Sequence, residues 1–185
     1  AQWSDGFETY TVGPVPGQGG CEAWDDDPAA ARALVTTAEV HTGNQALSVT
    51  GVDDAVHQYF ETEGVWRYSS WVYLPENLDN DTYFIMLNVY NSGAAEPKNW
   101  AMQLQMDPVA GIIFDNESAQ SAPLVLGQWV KIDCVIDLIG DNVQILYNDG
   151  FLANRQWTQD AGSLVSIQAV DLWADSIAQD VYYYD

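Results

Sequence analysis

The chain has 185 residues, 48% hydrophobic and 17% charged, and its eight Trp, ten Tyr and five Phe give enough apolar mass for one domain with a real core and argue against a disordered acidic tail. Five Lys and Arg stand against 27 Asp and Glu, a formal charge of −22, which repels nucleic acid phosphates and anionic membranes and excludes sequence-independent binding of DNA or RNA. No apolar run is long enough to span a membrane and no charged segment leads into an apolar stretch at the start, so no membrane insertion is expected.

In chain order, Gly13 to Gly20 reads GPVPGQGG and continues to Pro28 as a long loop without periodicity. Asp27 to Ala33, DPAAARA, predicts a short helix near residues 28–33, capped by Asp27 with Pro28 in its first turn. Beyond it the chain alternates like strands: 45–50, 56–61, 68–74, 83–90, 100–106, 111–115, 129–137, 142–147, 164–173 and 181–184. Turn signals separate them, among them Asp53-Asp54, Asp107-Pro108 and Asn148-Asp149-Gly150. In 129–137 the apolar Val130, Ile132, Cys134 and Ile136 share one face; in 100–106, Trp100, Met102, Leu104 and Met106 oppose Gln103 and Gln105. With no internal repeat or dividing linker, residues 1–185 read as one all-β domain, a two-sheet antiparallel β-sandwich of the jelly-roll type.

Cys21 lies in the Gly-rich loop and Cys134 in an apolar strand; a disulfide between them would tie loop to sheet, and two separate thiols are the alternative. Neither belongs to a CxxC pair or has a histidine nearby in sequence, so neither reads as catalytic or zinc-binding. The acidic, Trp-rich composition with only two lysines suggests a secreted or cell-surface protein, although a high-salt habitat would favour the same acid excess.

Three segments carry a family resemblance. Gly6-Phe7-Glu8 together with His41 to Val49 resembles the N-terminal signature of carbohydrate-binding modules and other extracellular jelly rolls, and Val181 to Asp185 resembles their last strand. Gly127 to Asp137, continuing to Tyr147-Asn148-Asp149-Gly150, is similar to the concanavalin A-like lectin and glucanase superfamily. The resemblance implies a structural calcium ion tying the first strand to the last through Glu8, the Gly43 carbonyl and Asp185, and calcium wants hard oxygens of that kind. It also implies that a hydrolase of this type would carry a Glu-x-Asp-x-x-Glu strand, which is absent here.

For function, aromatic rings cover the C–H faces of sugars while amides and carboxylates take the hydroxyls. The ligand-binding candidates are Trp24, Tyr90 and Trp157 as platforms, with Asn88, Gln103, Gln105 and Asp115 as polar partners; each also has a reading as a core or surface residue. The acid pairs Glu61 with Glu63, Asp115 with Glu117 and Asp133 with Asp137 are expected by chance among 27 acids. The five basic residues form no His-Tyr-Arg constellation, and His57 with Tyr59 is the only suggestive pair. Nucleophile elbows and phosphate loops are absent. The expectation is therefore non-catalytic binding of a polysaccharide, neutral rather than polyanionic, in a domain of a larger exported protein. A glycoside hydrolase or polysaccharide lyase is the alternative, and a structural or adhesion domain is the third reading.

Overall fold

The computed structural model describes residues 3–51, 53–159, 163–175 and 180–185. Among these, fifteen strands form two antiparallel sheets. The eight-stranded sheet runs β1 (Gly13–Pro14), β3 (Leu34–Thr36), β4 (Ala46–Thr50), β15 (Val181–Tyr184), β6 (Val65–Tyr73), β11 (Trp129–Asp137), β12 (Asn142–Tyr147), β13 (Gly150–Gln156). The seven-stranded sheet runs β10 (Gln120–Pro123), β9 (Ile112–Asp115), β8 (Lys98–Asp107), β7 (Thr82–Tyr90), β14 (Ile167–Ala174), β5 (Asp54–Glu61), β2 (Cys21–Glu22). This is the expected two-sheet sandwich. The expected helix is one short 3-10 turn, Pro28–Ala30, whose Ala29 N–H donates to the Asp27 carboxylate at 2.8 Å.

Strands with clean alternation bury one face, as in β11, where Val130, Ile132, Cys134 and Ile136 are all 0–2% exposed. Facing them from the other sheet are Phe84, Met86, Met102, Leu104 and Met106, each fully buried. Alternation fails where bulges intervene. The register of β7 against β8 shifts between Met86 and Val89, so that Met86 pairs with Met102 but Leu87 with Trp100. The extra residue, Ala101, joins Met102 in the core and turns Trp100 outward, 38% exposed. Trp100 therefore does not share the face of Met102, and Tyr90 packs with Ile85 and Leu87.

Both cysteines are buried and free. Cys134 Sγ lies 3.8 Å from Met102 Sδ in the core, while Cys21 pairs across the edge of the other sheet with His57, so the alternative of two separate thiols holds. Between the sheets, Arg155 of β13 reaches across to the fully buried Asp115 of β9, with bonds of 2.8 and 2.9 Å, and to Glu117 at 3.2 Å. This network closes one side of the sandwich. The other side holds the N-terminal segment, where the Glu8 carboxylate accepts N–H bonds from Asn44 and Gln45, both at 2.8 Å. Asp185 accepts from the Thr42 N–H at 2.8 Å, so the two acids hold the 42–45 loop from the start and the end of the chain. Gly43 needs its freedom here: at φ +70 an added Cβ would lie 2.5 Å from the Glu8 carboxylate.

Candidate active site

Paired residues of antiparallel strands share a face, so the register fixes what the outer face of the seven-stranded sheet carries. One row is Asp54, Trp173, Tyr83, Gln105 and Phe114. The next is Glu22, Val56, Asp171, Ile85 and Gln103, and a third holds Gln58, Ala169 and Leu87. Val56, Ile85, Leu87 and Ala169 are 0–3% exposed although they point away from the core. Larger side chains rise around them: Tyr83 stacks on Trp173 with ring centres 4.9 Å apart, and Trp24 stacks on Trp100 at 6.0 Å. The floor is apolar and the aromatics stand at both ends of it.

Beside Trp173 lie Asp54 and Asp171, on the adjacent strands β5 and β14, where each carboxyl acts on the other. Burial pushes the Asp54 carboxyl up to about 7, with Asp53 and Asp25 adding to the rise. Burial and the Asp54 charge push Asp171, only 2% exposed, well above the usual carboxylate range. Two like charges in contact under burial do not both ionise, so the pair holds a proton at neutral pH. Asp171 Oδ1 has no hydrogen-bond partner in the protein.

The surroundings of the pair are amides and acids. Gln103 donates from Nε2 to Glu117 at 3.1 Å, and Gln105 donates to Asp81 at 2.5 Å. Glu117 also accepts the Gln103 backbone N–H, and burial raises its carboxyl to about 7. Glu22, raised by burial, accepts from Gln58 at 2.7 Å. The loop at one end is set by Asp25 and Asp26, both at positive φ. Asp25 binds Lys98 Nζ at 2.6 Å, and that ammonium also lies 5.3 Å above the Trp24 ring and 5.6 Å from the Tyr90 ring.

The structure brings Trp24, Gln103 and Gln105 to this face, and it places the other ligand candidates elsewhere. Tyr90 is 2% exposed beneath Trp24, with its hydroxyl accepting the Asp25 N–H at 3.3 Å. Trp157 is fully buried and donates its indole N–H to the Ser166 carbonyl at 2.9 Å, a core side chain. Asn88, also fully buried, donates to Ser163 and to the Leu164 carbonyl. Asp115 is consumed by Arg155. For Asp115, burial pushes the carboxyl up, but the bonds from Arg155 and Ser118 outweigh it and leave the group below its usual range.

The pairs weighed from sequence lay close along the chain, whereas Asp54 and Asp171 belong to different strands joined only by sheet pairing. The available signal was Asp171 itself, a charge in the otherwise apolar run Ala169 to Ala174. For calcium, among the described residues no group of three or more His, Cys, Asp or Glu is placed to hold a metal ion. At Glu8 and Asp185 the carboxylate oxygens face N–H donors of the 42–45 loop, an arrangement that suits amides better than a cation. No helix among the described residues is long and apolar enough to cross a membrane.

No family model matches the chain and no curated protein sequence matches it. Among solved structures it is similar to an endo-β-1,4-glucuronan lyase from the fungus Trichoderma reesei, with a TM-score of 0.63, 10% identity, and 95% of this chain and 92% of that one covered. It is also similar to an alginate lyase solved with an alginate trisaccharide, at TM-score 0.59 and 13% identity over 98% and 94% of the two chains. A carbohydrate esterase from a Shiga toxin-encoding bacteriophage matches at TM-score 0.55 and 12% identity, over 94% and 95%. The fold is that of a sandwich shared with carbohydrate-active proteins. The expectation of non-catalytic binding is corrected here: these neighbours are carbohydrate-active enzymes, and the outer face holds a proton-bearing carboxyl pair that a binding platform does not require.

Proposed function

We propose that the protein is an enzyme that cleaves a polysaccharide on the outer face of the seven-stranded sheet, using the Asp54 and Asp171 pair for proton transfer. The observation that carries the reading is this buried pair on adjacent strands, beside the Tyr83 and Trp173 rings and on the same face as Trp24 and Trp100, with both carboxyls raised. One proton shared by two carboxyls sets a donor and an acceptor side by side near neutral pH, where general acid–base catalysis works best.

Two-carboxylate hydrolysis needs its acids roughly 5–9.5 Å apart, with room for a sugar carbon or a water between them. Carboxyls that share one proton leave no such room between them. Eliminative cleavage is therefore the leading reading. It removes the proton next to a uronate carboxylate and returns a proton to the departing glycosidic oxygen. A protonated carboxyl of the pair would hydrogen-bond the uronate, the amides of Gln103 and Gln105 would orient it, and Trp24 and Trp173 would cover sugar faces. Hydrolysis of a neutral glycan is the second reading, favoured by the formal charge of −22.

The test is incubation with glucuronan, alginate, a neutral β-glucan and a mannan, read both by the ultraviolet absorbance of an unsaturated sugar at the new chain end and by reducing ends. Absorbance with reducing ends marks elimination; reducing ends alone mark hydrolysis. Either activity should vanish in Asp171→Asn. No product from any polysaccharide would refute enzymatic cleavage of these classes. We also propose that the protein is a concanavalin A-like sandwich exported as part of a larger protein, a reading that the sandwich and the acidic composition support. Structural calcium at Glu8, Gly43 and Asp185 is also kept as a proposal; a chelator that lowers the melting temperature supports it, and an unchanged melting curve removes it.

A further inference from the structure

A cavity of about 720 Å³ lies on the opposite side of the seven-stranded sheet from Asp54 and Asp171, in the space between the two sheets. The space opens to solvent on one side, where the exposed Trp3 and Val65 line it. Its walls include Ala55, Met86, Val170 and Leu172 from one sheet and Tyr68 and Tyr184 from the other.

Three polar atoms of its lining residues are buried without a hydrogen-bond partner: Tyr59 Oη, Tyr184 Oη and His57 Nδ1. Tyr184 is only 1% exposed. Buried polar groups are nearly always paired, so three orphans among the residues lining one cavity point to an absent partner. Asp5, Glu61 and Asp185 also line the cavity, which disfavours an anion; Asp5 accepts the Phe7 N–H at 2.7 Å and Asp185 the Thr42 N–H at 2.8 Å. Arg67, which also lines it, is engaged by Asp133 on the sheet's outer face, and burial pushes the His57 imidazole below its usual range, toward the neutral form. Trp3 also lines the cavity, tilted against His57 with ring centres 4.4 Å apart and edge-on to Tyr59 at 5.9 Å. At 44% exposed it sits where the cavity meets solvent.

We propose that this cavity is a binding site for an uncharged, mostly apolar small molecule carrying a hydroxyl or N–H group that hydrogen-bonds to Tyr59, Tyr184 and His57, with Trp3 at its entrance. The volume lies in the range of small-molecule pockets, roughly 300–1,000 Å³. A polysaccharide chain cannot lie between the sheets, so this site is separate from the groove and does not depend on the enzymatic reading.

The test uses N-phenyl-1-naphthylamine, an uncharged arylamine with one N–H whose emission rises in apolar surroundings. Saturable binding with partial quenching of tryptophan emission is expected, since both Trp3 and Trp66 line the cavity. Ala55→Phe, which fills the cavity, should weaken binding by about tenfold or more, since a well-filled space no longer admits the probe. Should Ala55→Phe fail to fold, Trp3→Ala serves instead: it leaves the core untouched and should weaken binding severalfold. A signal that never saturates, that is unchanged in the variant used, or that a groove-bound oligosaccharide displaces would overturn the proposal.

Discussion

The proton held by Asp54 and Asp171 has a consequence for stability that separates a shared-proton pair from two ordinary acids. A carboxyl whose folded pKa lies above its unfolded value takes up a proton on folding. Its favourable contribution is fully present below the unfolded pKa, about 4, and is lost as pH rises through the folded value. For Asp54 the rise runs from 3.8 to about 7, and at about 1.4 kcal/mol per pH unit this amounts to no more than about 4 kcal/mol lost by pH 8. Asp54→Asn removes that loss. The variant should match the parent near pH 4 and be more stable at pH 8 by up to about 4 kcal/mol, while losing activity. Urea denaturation of both proteins at the two pH values measures this, and taking the difference between variant and parent cancels the general repulsion of an acidic protein. Parallel pH profiles would show that Asp54 ionises normally, and the shared proton, with the catalytic role built on it, would fall.

Other outcomes follow from the same contacts. Arg155→Met leaves Asp115, fully buried, without its partner and should cost about 3–5 kcal/mol in a denaturant titration; a loss below about 1 kcal/mol would mean the pair is not desolvated. Trp24→Ala removes a groove ring stacked on Trp100 and should raise KM by up to about tenfold, with kcat little changed, if Trp24 covers sugar. Trp157→Ala, in contrast, should cost about 3–5 kcal/mol of stability with no selective effect on KM. Burial pushes the Cys21 thiol up to about 11 and raises Cys134 as well, so both thiols should resist a thiol reagent in the native protein and react together on unfolding.

The architecture was legible because long strands such as 129–137 alternate without interruption, and period two needs only one chain segment to be read. The five strands not foreseen are Gly13–Pro14, Cys21–Glu22, Leu34–Thr36, Gln120–Pro123 and Gly150–Gln156. Four have two to four residues, too few to show a period; the fifth, FLANRQ after Gly150, puts the buried neighbours Leu152 and Ala153 together, beside a register shift against β12. The site was legible only in part for a related reason. Gln103 and Gln105 announce an outer face by local alternation, but Asp54 and Asp171 meet through sheet pairing across more than a hundred residues. Trp157 was misjudged because a tryptophan in a weakly patterned segment reads the same whether it faces a ligand or closes a core.

The cations decide how such a site can treat an anionic sugar. All five are engaged: Arg32 with Asp53, Arg67 and Lys131 with Asp133, Lys98 with Asp25, and Arg155 with Asp115 and Glu117. None is left over in the groove to neutralise a uronate carboxylate, so that task would fall to the protonated carboxyl of the pair and to neutral amides. Cleavage of an acidic polysaccharide should then rise as pH passes about 7, where Asp54 ionises while Asp171, raised further, keeps the remaining proton, and should improve with salt, which screens repulsion between substrate and protein. A neutral substrate would share the pH dependence but show little response to salt. Rates on both substrate classes across pH and ionic strength thus separate the two chemistries, and an anionic substrate cleaved best well below pH 7 at low salt, where both carboxyls are protonated, would contradict the assignment of the pair to proton transfer.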